Sequence, residues 1–146
     1  MALGSPWLLV SVFPDGPAQE MPDDIPEAVA RAFVQADGSR LAGHWDAASS
    51  MYRKAMELAL KAFSPDIEAW QIGKRIDQMA AENRITPELK TWAHELRLDG
   101  NDAVHGDEET TEEAVKNMHD FCKFLLIYLY TLPAQVARAQ ARRNGQ

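Results

Sequence analysis

Six apolar residues, Val115, Met118, Cys122, Leu125, Leu129 and Leu132, follow one another at strict three- and four-residue steps. Only an α-helix, at about 3.6 residues per turn, gathers such a series onto one face. Phe121, Phe124, Leu126 and Ile127 make the second half of that helix apolar nearly all round, so it lies at the centre of a bundle or forms a subunit contact. Thr110-Thr111-Glu112-Glu113 marks its start, with Thr110 and Glu113 as a capping box that satisfies free amides of the first turn. Pro133 marks its expected end.

The rest of the chain is punctuated in the same way. Residues 1–23 are expected to form an extended N-terminal arm, broken by Pro14-Asp15-Gly16-Pro17. A first helix is predicted from Asp24 onward, with Pro26 at its first helical position and Gly38 and Gly43 bracketing its end. A second runs from about Trp45 to Phe63, because Ala48, Tyr52, Ala55, Ala59 and Ala62 recur at steps of four and three. Its other side carries Arg53, Lys54, Glu57 and Lys61. Ser64-Pro65 and Thr86-Pro87 each place a capping hydroxyl before a proline whose missing N–H is no loss in a first turn, which predicts the starts of a third and a fourth helix. The expectation is an all-α, single-domain bundle of about five helices over residues 24–136, followed by a basic helical tail, 137–146, with Arg138, Arg142 and Arg143.

Composition narrows the function classes. With 146 residues and 46% hydrophobic content, the chain can bury a core without disulfides or metal. A formal charge of −7, from 22 acids and 15 bases, argues against a broad phosphate-neutralising surface, though a local basic site remains open. The single cysteine, Cys122, excludes an internal disulfide framework or zinc knuckle and suits the reducing cytoplasm. The apolar run from Phe121 to Leu132 contains Lys123 and is short of the roughly 20 residues a bilayer requires, so no membrane role is expected. His44, His94 and His119 have no metal-binding spacing, and neither a metal nor a cofactor is expected.

The fourth helix carries the most distinctive chemistry. If it continues unbroken from Thr86 to His105, Leu89, Trp92, Ala93, Leu96, Gly100, Ala103 and Val104 form one face, and Glu88, Glu95, Asp99 and Asp102 another. His94, Arg97, Asn101 and His105 fall between them, within roughly 80° of one another. Arg97, Asn101 and His105 would then offer a fixed cation, an amide and a titratable imidazole, groups able to hold a phosphate and move a proton. The structural alternative is that these groups bond to neighbouring helices, with Glu57 a partner for Arg97 or for Arg53. Gly100 either admits a close backbone or breaks the helix.

Three segments, Tyr52 to Leu58, Trp92 to His105 and Tyr128 to Pro133, resemble the prokaryotic domain of unknown function numbered 4145. The likeness runs over roughly residues 20–138, and its most specific part is the arginine, glycine-asparagine and histidine of Arg97, Gly100-Asn101 and His105, together with Arg53 and Glu57. The resemblance implies a helical domain found alone or fused to restriction endonuclease subunits and other defence proteins, related to the HEPN helical superfamily. Many HEPN proteins are dimeric, metal-independent endoribonucleases that use an arginine and a nearby histidine. Here seven residues separate Arg97 from His105, a wider spacing than in those nucleases, and Gly100 stands where they usually carry arginine.

Three functions follow as expectations. The first is a non-catalytic interaction module that forms a homodimer through the helix containing Phe121 to Leu132, or meets a defence-system protein. The second is an RNA-cleaving enzyme in which Arg97 steadies the phosphate, His105 is general acid or base, and Asn101 orients one of them. The third is nucleotide or nucleic-acid binding without chemistry, through Arg97 and the basic tail.

Overall fold

A computed structural model describes residues 21–98 and 110–145 of the chain. The order is α1 (Glu27–Leu41), α2 (Trp45–Phe63), α3 (Ile72–Ala81), α4 (Pro87–Leu96), α5 (Glu112–Leu126), a π-helical turn (Ile127–Thr131) and α6 (Leu132–Asn144). No strand occurs among the described residues, and the fold is all-α. The expected arm falls almost entirely outside them.

α1 and α2 form the closest pair, and the turn between them explains Gly43. The Gly43 N–H donates to the Arg40 carbonyl and the His44 N–H to the Ser39 carbonyl, so the last carbonyls of α1 are satisfied by a Schellman closure. That closure needs a left-handed residue, and Gly43 supplies it at φ 80° without a Cβ penalty. Asn83 plays the same part after α3 at φ 62°, the asparagine being among the few side chains that tolerate this region. Gly38 lies within α1 and does not end it.

Helix α2 keeps its expected bounds, and its apolar stripe is deeply buried: Ala48, Tyr52, Ala55, Met56, Ala59 and Leu60 have essentially no exposure. It packs against α1 on one side and α5 on another, where Phe121, Cys122, Leu125 and Leu126 complete the core. Helix α4 opens as expected, with Thr86 Oγ1 accepting from the Leu89 N–H at 3.2 Å and Pro87 in the first turn. Trp92 of α4 then meets Phe121 edge-on, with ring centroids 5.2 Å apart.

Three local expectations are corrected. Ser64-Pro65 does not open a helix: Ser64 ends α2, its hydroxyl donating to the Leu60 carbonyl at 2.6 Å, and α3 begins only at Ile72. The intervening bend is held by the buried Arg75, whose guanidinium donates to the carbonyls of Ser64 and Ala69, each at 2.7 Å. The cap of α5 is Thr111 rather than Thr110, since Thr111 Oγ1 accepts from the Ala114 N–H at 3.1 Å. Nor does Pro133 end that helix. A proline ring collides with the carbonyl four residues earlier, here that of Leu129, and the wider π-helical turn at residues 127–131 lets the chain pass into α6 without interruption.

Candidate functional site

The helix on which Arg97, Asn101 and His105 would share a face stops at Leu96. Arg97 closes it in the left-handed region, φ 54° and ψ 55°, its N–H donating to the His94 carbonyl at 3.2 Å, and its side chain is exposed. An uninterrupted helix through His105 is therefore not formed, and the break falls three residues before Gly100. Asn101 and His105 lie outside the described residues. His94, from the same stripe, reaches the neighbouring helix instead, with Nε2 2.6 Å from Asp77 Oδ1 of α3. Glu57 pairs with Lys61 one turn on, at 3.7 Å, rather than with Arg53 or Arg97.

Directly beside Leu98, the residue after Arg97, lies a cavity of about 400 Å³. Arg53, Lys54 and Glu57 of α2 line one side and Trp70 and Gln71, which lead into α3, the other. Arg53 is partly buried, and its Nε is enclosed with no hydrogen-bond acceptor among the described residues. Trp70 is the opposite case, 85% exposed. The arginine-to-glutamate step of the second helix thus faces an open polar hollow.

A second polar group, marked by no sequence motif, sits inside the core. Tyr52 of α2 donates its hydroxyl to the Asp37 carboxylate of α1, and Arg40 Nε donates to the same hydroxyl oxygen at 2.9 Å. Arg40 also stands 3.6 Å from Asp37, and His119 of α5 brings Nε2 to 3.8 Å of that carboxylate. The rings of Phe33, Tyr52 and His119 enclose the group, each pair of centroids 5.7 Å apart. Burial, reinforced by the bond to Asp37, pushes the Tyr52 phenol far above its ordinary range. Burial also pushes the Cys122 thiol up, with the Asp37 charge adding to it, so Cys122 is held as an inert thiol rather than a nucleophile. The cluster joins α1, α2 and α5, and its central pair, Asp37 and Tyr52, is fully enclosed. The legible signal was an acid at position 37 in line with Val29, Phe33 and Ala36 on the inward face of α1.

The third feature is apolar. A groove of about 330 Å³ runs between α4 and the α5–α6 helix, lined by Leu89, Trp92, Phe124, Ile127, Tyr128 and Leu132. Within the run from Phe121 to Leu132, the bundle itself buries Phe121, Cys122, Leu125, Leu126 and Leu129. It leaves Phe124 55% and Leu132 49% exposed, and Val136 of α6 continues the strip at 54%.

Among the described residues no group of three His, Cys, Asp or Glu side chains is placed to hold a metal ion, and no helix is long and apolar enough to cross a membrane. No curated protein and no solved structure matches the chain. The model of one family, Domain of unknown function (DUF4145), matches residues 35–142, which takes in every helix from the second half of α1 to the last turn of α6; the chain belongs to that family.

Proposed function

We propose that this protein is a non-catalytic helical interaction module that self-associates through the apolar groove between α4 and the α5–α6 helix. The observation that carries this is the exposed strip Phe124, Leu132 and Val136, on a helix whose opposite side is already core. A contiguous apolar strip of this kind costs free energy in water and is relieved when another surface covers it. The occupant is a second copy. The helix runs continuously from Glu112 to Asn144, about 50 Å at 1.5 Å per residue, with acids in its first turn and Arg142 and Arg143 in its last. Antiparallel pairing of two such helices sets Glu112 and Glu113 against the basic end while the central apolar strips meet, a self-complementary contact as two-fold symmetry demands.

By its resemblance to domains fused with restriction subunits, the dimer is assigned to a restriction or other defence assembly in the cytoplasm. Light scattering coupled to size-exclusion chromatography tests the self-association: the wild type is expected as a dimer and Phe124→Glu as a folded monomer. A wild type that stays monomeric at high micromolar concentration overturns the proposal. RNA cleavage that survives chelator and disappears in His105→Ala would overturn its non-catalytic part.

A further inference from the structure

We infer that the apolar segment at residues 7–13 docks in the groove of its own copy, between α4 and the α5–α6 helix, and so competes with the second copy for that surface. Taking the groove as the self-association surface proposed above, this makes the N-terminal segment its regulator. All of the seven residues but Ser11 are apolar, and they precede the described part of the chain. The groove suits them, since Leu89, Trp92, Phe124, Ile127, Tyr128 and Leu132 line it beside only Thr86 and the exposed Glu88. The cavities beside α2 do not. One carries Arg53, Lys54 and Glu57 and the other Arg31 and Lys54, charges that an apolar segment would strip of water without offering partners.

The start of the bundle holds the segment close to the groove. Met21 packs against the core, the Asp23 carbonyl accepts from Thr131 Oγ1 at 2.7 Å, and Asp24 pairs with Arg138. Thr131 directly precedes Leu132, one of the groove residues. Phe13 is ten positions before Asp23, and ten extended residues reach about 33 Å. From Phe124 to Leu132 the groove follows only about 12 Å of helix, so the link reaches all of it. In the extended form expected from the sequence, Leu8, Val10 and Val12 fall on one side and span about 13 Å, close to the length of the groove. A tether this short holds its segment at an effective concentration on the order of millimolar, so a second copy at micromolar concentration meets a groove already covered. Pairing then requires displacement of the segment, which raises the concentration at which copies associate.

The test is disulfide trapping in the full chain, where the native Cys122 is fully buried and leaves introduced thiols to pair with each other. Val10→Cys with Glu88→Cys is expected to close a bridge within one chain under mild oxidation, about fivefold or more faster than Val10→Cys with Glu57→Cys at the α2 cavity. Sedimentation equilibrium supplies the second readout. Val10→Glu with Val12→Glu charges the segment, which then no longer enters an apolar groove, and is expected to lower the dimer dissociation constant by about tenfold. Equal bridging at Glu88→Cys and Glu57→Cys, bridging only between copies, or a dimer that forms no more tightly in the charged variant overturns the inference. If neither protein dimerises while the bridge closes within one chain, the self-association reading fails and the docked segment stands. A dimeric wild type without that bridge removes the docked segment alone.

Discussion

Arg138 of α6 and Asp24, just before α1, stand 114 residues apart in sequence and form a two-pronged ion pair, with Nη1–Oδ1 at 3.0 Å and Nη2–Oδ2 at 2.9 Å. The basic tail is therefore tied back to the beginning of the bundle. Thr131 strengthens the same junction by donating to the Asp23 carbonyl at 2.7 Å. A forked guanidinium-carboxylate pair fixes orientation as well as proximity, which a lysine in the same place could not do.

The Arg138 hydrogen bonds, and secondarily its charge, hold the Asp24 carboxyl below its usual range. The pair's contribution is then present above the ordinary aspartate pKa, about 4, and fades as pH falls through the lowered folded-state value. Asp24→Asn is expected to speed hydrogen exchange of the α6 amides at neutral pH and to remove this acid-dependent loosening. Unchanged exchange in the variant would mean that the pair does not anchor α6.

Val136 offers a check of the interface that does not touch the core. It is 54% exposed on α6, and Val136→Glu is expected to raise the dimer dissociation constant by about tenfold or more, by burying a charge without a partner. Leu41 is similarly exposed at 60% but ends α1 and lies off the α5–α6 helix that carries Phe124, Leu132 and Val136. Sedimentation equilibrium should therefore find Leu41→Glu as dimeric as the wild type. Equal loss in both variants would point to a general effect of added charge.

Tyr52→Phe removes the hydroxyl shared by Asp37 and Arg40 while keeping the ring between Phe33 and His119. Leaving buried polar groups short of a partner costs about 1–3 kcal/mol, and a loss of that size is expected in urea unfolding with an unchanged slope. A loss below about 0.5 kcal/mol, the level of ordinary surface substitutions, would show that the buried cluster contributes little to stability.

Arg97 holds a left-handed backbone conformation that disfavours any side chain by about 1–2 kcal/mol. Arg97→Gly relieves that penalty but enlarges the conformational freedom of the unfolded chain, so a net stabilisation of up to about 1 kcal/mol is expected. Thermal unfolding reads it directly. A lowered melting temperature would indicate that the exposed arginine side chain makes a stabilising contact larger than the backbone strain.

The boundary between local and tertiary information can be seen residue by residue. The limits of α2, the Thr86 cap of α4 and the buried face of α5 were all legible, because caps and apolar spacing act within a turn or two of helix. The all-α class followed from them. Ser64 was not legible. Its apparent cap depended on a rule of sequence, while its actual role is set by Arg75, eleven residues on, taking its carbonyl. Asp37 belongs to the same class, since its burial makes sense only once Tyr52 and His119 come from two other helices.

The opening pattern from Val115 to Leu132 divides along the same line. The amino-acid sequence by itself determined that this stretch is a helix with a central apolar face, since periodicity is a property of the chain. Only the tertiary structure decided which of its residues the bundle uses. It encloses Phe121, Leu125 and Leu129 and leaves Phe124 and Leu132 at the groove, because α2 and α4 can cover only part of the circumference. Tertiary structure also carried the helix past Pro133, where α6 is held by bonds to Asp23 and Asp24 that no local pattern encodes.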